Sequence, residues 1–247
     1  MPGFRKLALV QIKLYLRDPL SAFFTLAFGP SLFVVLGLIF GNDPDPALGG
    51  RGYLDLALPA YMAIIVSVVG LTAVPINAAN RREAGVLRRY SATPLRPLTY
   101  FLSDVLAPYV LSLAGALLLA LLGTTVFRVQ FGGNVLSLFV GLSLGAFAFL
   151  AVGYSLFGLV SSSRAVMLIG NVALYAMMLL SGAMVPLEVM PEGVRRFSAL
   201  SPMTHLVSLL RGLWSGTGWT ALSSEALILL AVGLLGSLAV VRSFRWE

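Results

Sequence analysis

"LDLALPAYMAIIVSVVGLTAVPINAANRREAGVLRRYSATPLRP", Leu54 to Pro97, runs apolar as far as Ala79 and then carries Arg82, Arg88, Arg89 and Arg96 before a second apolar run opens at Tyr100. A bilayer core about 30 Å thick needs roughly 20 apolar residues in a helix. The first run meets that length, and so does the second, which extends to Phe127. The stretch therefore reads as a membrane helix, a short basic excursion into water, and a second membrane helix.

The same grammar holds along the chain. Six apolar runs are long enough to cross: 20–40, 54–78, 101–127, 135–160, 166–185 and 222–241. Pro59, Pro75 and Pro108 lie toward the ends of these runs, where a missing helix bond is easier to meet. Of the 247 residues, 58% are hydrophobic and 11% charged, with mean hydropathy +0.93. A soluble domain carries about 25% charged residues, so the expected fold is an all-α integral membrane protein with one transmembrane domain over 1–247. With no cysteine, disulfides, thiolate metal sites and cysteine nucleophiles are excluded. The net charge of +7 does not point to nucleic acid, because the cations occupy short loops between spans.

Those cations orient the chain. Arg5, Lys6, Lys13, Arg17, Arg81, Arg82, Arg88, Arg89, Arg96, Arg164, Arg242 and Arg245 fall on one side, which makes twelve of 17. Arg51, Arg128, Arg195, Arg196 and Arg211 fall on the other. The positive-inside rule places the richer side, and both termini, in the cytoplasm of a multi-pass plasma-membrane protein. The first apolar run is too long for a removable signal peptide. Residues 3–17 read as an amphipathic helix lying on the lipid surface, with Lys6, Lys13 and Arg17 in a stripe about 40° wide. A basic tail that only sets topology is the plainer alternative.

Asn80 to Ala92 favours helix, and Thr93-Pro94 stops it. On that helix Glu83, Val86, Leu87 and Tyr90 share a face rimmed by Arg82, Arg88 and Arg89, a pattern suited to docking on a soluble partner. A solvated loop fits the composition as well. Between the last two runs, Met184 to Gly216 is punctuated by Pro186, Pro191 and Pro202, and its helical part, Met203 to Trp214, is too short to cross. It reads as a helical hairpin re-entering the outer leaflet, with Trp214 and Trp219 at headgroup level.

In order, "LRDP", "YLDLALPAYMA", "REAGVLRRYSATPLRPLTYFLSDVL" and "VPLEVMPEGVRRFSALSPMTHLVSLLRGL" resemble the type-2 ABC exporter permeases, in particular the drug-export-like branch with separate membrane and ATPase chains. The most specific matches are Glu83, Gly85, Leu87 and Thr93-Pro94-Leu95 in the loop, with Pro186, Pro191, Pro202 and Arg211 outside. Ala60 departs from the glycine many relatives carry after that proline. The resemblance implies a coupling helix over Arg82 to Tyr90, within a coupling loop over 80–97 that includes Pro94. It implies an outer gate around Pro186, Pro191, Pro202, His205 and Arg211. It also implies two six-span subunits, a copy or a sibling, working with two nucleotide-binding subunits that carry ATP and Mg2+. This chain itself would bind neither: a Walker A loop needs a lysine after glycine, and Lys6 and Lys13 follow Arg5 and Ile12.

Two other classes compete. An ion-coupled secondary transporter or channel usually holds carboxylates within its spans, whereas Asp55, Asp104 and Glu225 lie near span ends. An intramembrane hydrolase would need His205 as base, and "GYSLFG" around Ser155 is not a nucleophile elbow. Asn171, Tyr175, Met178 and Gly182 share one face of the fifth span, and Ser67, Gly70 and Asn77 share one face of the second. These faces are expected either to border the path of a lipophilic substrate (a drug, lipid or natural product) or to pack helices.

Overall fold

A computed structural model describes residues 27, 29–44, 50, 52–91, 97–184 and 190–243. The expected interfacial helix with Lys6, Lys13 and Arg17 lies outside them, as do Pro94, Pro186 and the opening of the first span. The described residues are helical, with no strand among them. Among the described residues, five helices are long and apolar enough to cross a membrane, and a sixth apolar helix, α1 (Gly29–Phe40), is shorter. The chain is a multi-pass membrane protein whose described residues form helices and their connections.

The second helix organises the others. It runs unbroken from Tyr53 to Glu83, as α2 (Tyr53–Val68), a π-helical turn (Val69–Ala73) and α3 (Val74–Glu83). At 31 residues it is about 46 Å long, so its last turn extends beyond a hydrocarbon core of about 30 Å. The wide turn comes just before Pro75, whose missing N–H already interrupts the ladder. Thr72 donates its hydroxyl to the Val68 carbonyl at 2.7 Å within that turn. The bulge is also where backbones meet: a Cβ on Gly153 would stand 1.9 Å from the Gly70 carbonyl oxygen, and one on Gly170 2.5 Å from that of Leu71. Small residues let helices approach this closely where lipid offers no hydrophobic drive.

After Glu83 the chain turns through Ala84 and Gly85 into a six-residue helix, α4 (Val86–Ser91). Here the structure departs from the single helix expected over Asn80 to Ala92. Gly85 adopts φ +69°, a left-handed conformation that ends one helix and lets the next leave at an angle. Nothing lies within 4 Å of a Cβ built on it, so conformation, not space, selects glycine there.

Helix α5 (Pro97–Thr125) returns, followed by α6 (Val135–Leu159), whose first turn is capped by Asn134 accepting from Leu136 and Ser137 N–H groups at 2.8 and 3.2 Å. Only residues 160–162 separate α6 from α7 (Ser163–Leu180), capped by Ser162. Beyond it come α8 (Glu192–Ser198), α9 (Pro202–Trp214) and α10 (Ser223–Ser243). Helix α9 starts with Pro202 in its first turn, where a missing N–H costs nothing. At 13 residues, about 20 Å, it cannot cross a bilayer. It lies antiparallel along the first half of α6: Leu206 meets Gly145, and Leu213 meets Gly141. The core is thus α2 and α9 wrapped by the others, with Leu54, Leu58, Met62, Met203 and Leu206 fully buried. By contrast α7 buries only the stripe Val166, Gly170 and Leu174.

Candidate coupling site at the basic end of the bundle

The site is built on three consecutive residues. Successive side chains on a helix point about 100° apart, and Arg81, Arg82 and Glu83, in the last turn of α3, use this to reach three other helices. Arg81 pairs with Asp104 on α5, whose other carboxylate oxygen accepts the Tyr154 hydroxyl of α6. Asp104 is 4% exposed, and each of its carboxylate oxygens has a partner, as a buried polar group requires.

Arg82 reaches the C-terminal end of α6. Its guanidinium donates to the carbonyls of Phe157, Val160 and Ser161 at 3.0, 2.5 and 2.8 Å and lies over the Phe157 ring, 4.6 Å from the centroid. The last carbonyls of a helix have no partner within it, and a cation there meets the negative end of the helix dipole.

Glu83 does the converse for α7. Its carboxylate accepts the Ser163 N–H at 2.6 Å and the Ser163 hydroxyl at 2.8 Å. The N–H bond, and then the hydroxyl, hold its carboxyl below the usual carboxylate range, so the cap is intact at neutral pH and is lost only as pH falls through that lowered value. One turn of α3 thereby holds α5, α6 and α7, and α4 begins three residues later. Leu87 anchors α4 in the core at 1% exposure; Arg88 and Arg89 are exposed and Val86 is half-buried.

The face expected on one helix is therefore divided. Glu83 and Arg82 turn toward the bundle, Leu87 is buried in it, and Arg88 and Arg89 face outward. Arg81, Asp104, Tyr154 and Ser163 were not singled out as site residues from sequence. The legible signal was Asp104, an acid within an apolar stretch, beside an Arg81 counted only for topology.

The opposite end is tied differently. Asn42 and Asp55 exchange two hydrogen bonds at 3.2 Å, and Asp55 also accepts the N–H groups of Gly52 at 3.1 Å and Gln130 at 3.2 Å. Arg211, on α9, donates to the carbonyls of Leu56 at 3.2 Å and Gly182 at 2.9 Å, joining α2 to the turn after α7. His205 bonds the Ala199 carbonyl through Nε2 at 2.9 Å. Pro191 is the exposed residue before α8. Trp214, expected at headgroup level, is instead 4% exposed: it donates to the Gln130 carbonyl at 2.9 Å and meets Phe131 edge-on. Trp219 is half-buried.

The expected substrate-path residues do not converge within this chain. Ser67 is fully buried with its hydroxyl on the Ala63 carbonyl, and Gly70 lies against the Phe149 backbone. Asn77 and Met178 are half-buried, and Gly182 is buried in a turn at φ +76°. Asn171 bonds back to Met167, and Tyr175 is 61% exposed on the outer face of α7.

The described helices form a membrane bundle with polar ties concentrated toward its two ends, besides the Tyr109–Ser143 bond at 2.9 Å between α5 and α6. The ABC-2 type transporter family model matches residues 3–214, and the chain belongs to that family. It is similar to the "Inner membrane transport permease YhhJ" of Escherichia coli (strain K12), at 27% identity over 198 residues, 78% of this chain and 50% of that protein. It is also similar to the "Probable multidrug ABC transporter permease" proteins YbhR and YbhS of the same strain, at 19% and 24% identity. Those alignments cover 72% of this chain and 47% of YbhR, and 64% of this chain and 42% of YbhS. The chain thus spans about half the length of the curated relatives it matches.

Proposed function

We propose that this chain is the membrane subunit of an ATP-driven exporter, powered by a separate ATPase subunit that docks on α4 and binds the ATP and Mg2+. The carrying observation is the Arg81–Arg82–Glu83 turn beside α4: displacement of α4 is transmitted through charge-assisted bonds to α5, α6 and α7 together. ATP-driven closure of the partner moves these ends and opens the path on the opposite side, by alternating access.

In this reading 1–247 form one transmembrane domain of six spans, α1 completing the first, with both termini cytoplasmic and residues 3–17 on the inner surface of the plasma membrane. The length of α9 and its antiparallel seat on α6 support a re-entrant hairpin at the outer gate. The exposed outer face of α7, with Val172, Tyr175 and Leu179, supports a second permease subunit, copy or sibling, closing a path between them. The apolar side chains there suit a lipophilic substrate, and the names of YbhR and YbhS favour a drug. The ion-coupled alternative gains nothing from Asp104, already engaged by Arg81 and Tyr154 at the bundle's end.

The test is extraction of the tagged chain from native membranes in mild detergent, with mass spectrometry of what co-purifies. A stoichiometric P-loop protein, lost when Arg88 and Arg89 are both changed to glutamate, is expected. Its absence from a folded, monodisperse preparation overturns the assignment.

A further inference from the structure

The hairpin that ends in α9 reaches the middle of the bilayer. Phe147, the midpoint of α6, packs on Gly233, the midpoint of α10, and so marks the centre of the membrane that both helices cross. Leu206 meets Gly145 at nearly that level, and α9 begins four residues, about 6 Å, further in. The start of α9 and the residues just before it therefore lie near mid-depth.

Ser201 holds the N-cap position of α9 with extended backbone, yet its hydroxyl caps nothing. Its Oγ and the Oγ1 of Thr204, in the first turn, belong to residues 7% and 6% exposed and have no hydrogen-bond partner among the described residues. An orphaned buried hydroxyl costs free energy, so two at one helix start point to a ligand. Close by, Arg195 and Arg196 in the last turn of α8 are exposed, and their guanidinium groups bond to no described residue. Glu192, one turn before them, pairs with neither. Cations at mid-depth face a wet path or protein rather than lipid. Beside them Phe197 and Leu200 are 69% and 78% exposed.

We propose that the start of α9 binds the acidic group of an amphipathic anion. The Ser201 and Thr204 hydroxyls and the helix N-terminus hold that group, Arg195 and Arg196 meet its charge, and its tail lies along Phe197 and Leu200. Hydroxyls donate to anionic oxygens, a helix N-terminus carries partial positive charge, and guanidinium groups match phosphate and carboxylate. Interrupted membrane helices present their N-termini to anionic substrate groups in this way. Helix α8 buries only Ser198, so it is the element that yields to admit the group. The proposal rests on the permease reading and deepens it: the lipophilic cargo carries an acid, and the hairpin that gates the path also recognises it.

The experiment offers the purified full-length chain equal amounts of dodecyl phosphate and dodecyltrimethylammonium in a neutral detergent, with retained ligand counted by native mass spectrometry. Wild type is expected to retain the phosphate ester selectively. Ser201→Ala and Thr204→Val should each weaken retention roughly tenfold, and Arg195→Gln with Arg196→Gln roughly thirtyfold, while lysine at both positions keeps most of it. Without ligand, the two hydroxyl variants should unfold at an unchanged or higher temperature, because each removes an orphaned group. A lowered midpoint with undiminished retention would make the hydroxyls holders of a buried water and overturn the proposal. Should a hydroxyl variant fail to fold, the exposed arginine pair keeps the test decisive. Equal retention of both amphiphiles, or undiminished retention in the arginine pair, also overturns it. So does stabilisation by inorganic phosphate equal to that by dodecyl phosphate, which would make the ligand a free anion. A co-purifying ATPase beside unselective retention would sink this inference alone; selective retention without one would uphold the site and sink the permease reading.

Discussion

The two ends of the bundle are fastened by different chemistry. At the basic end, three adjacent charged side chains on one helical turn radiate to three helices, two of them gripping helix termini. At the other end, Asn42, Asp55 on α2, Gln130, and Arg211 and Trp214 on α9 bond chiefly to backbone groups and to one another. The first arrangement works as a lever, because all its ties move when one turn moves. The second is a distributed clamp, in which losing one bond leaves the others in place. In the proposed cycle, an input site would require the former, and a gate that holds between cycles would be served by the latter.

The comparison is most severely strained by Asp104→Ala. It leaves Arg81 without its carboxylate and the buried Tyr154 hydroxyl without its acceptor. Breaking a buried pair costs about 3–5 kcal/mol, and the partial exposure of Arg81 puts this case at about 3 kcal/mol. Thermal unfolding in detergent should show a large drop, smaller for Asp104→Asn. A midpoint unchanged in both would mean the lever is not structural.

Next comes Glu83→Ala, which removes the bonds to Ser163 at the start of α7 and leaves the Ser162 cap in place. Substrate-stimulated ATPase activity of the reconstituted complex should fall about tenfold, within the usual range of coupling energies, while the unfolding midpoint barely moves because Glu83 is exposed. Normal stimulation would sever α4 from α7 in this account.

Trp214→Phe sharpens the contrast. It keeps the ring against Phe131 and removes the bond to Gln130, so it should cost about 1 kcal/mol of stability with stimulation retained. An effect of similar size belongs to Gly85. Alanine there carries about 1 kcal/mol of left-handed strain, and asparagine less, because it tolerates that conformation. Stability should therefore rank glycine, asparagine, alanine, and a flat ranking would show that α4 leaves α3 by another geometry.

Much of the fold was legible because membrane helices announce themselves by length and hydropathy. The runs beginning near Leu54, Phe101, Val135, Val166 and Leu222 correspond to the five membrane-length helices. The shortness of α9 could be read from Met203 to Trp214 between punctuating residues. What could not be read was direction. Glu83 and Leu87 sit on one face of an uninterrupted helix, but Gly85 breaks that helix, and its left-handed turn is invisible to periodicity. Trp214 looked interfacial because tryptophan often is, yet the partner of its N–H, the Gln130 carbonyl, is set by tertiary packing. Asp104 and Tyr154 are fifty residues apart and meet only once α5 and α6 are assembled. The π-helical turn was likewise hidden, since nothing in "VGLTAVP" marks it except the proline.

The central claim is that α4 and the start of α7 move as one body. The chain has no cysteine, so spin labels placed at Arg89→Cys and Arg164→Cys report cleanly on their separation by pulsed electron resonance. With the ATPase partner bound, the account predicts the same narrow distance with and without a non-hydrolysable ATP analogue, and a broadened, nucleotide-dependent distance once Glu83→Ala is added. A separation that shifts with nucleotide in the otherwise native chain would contradict it.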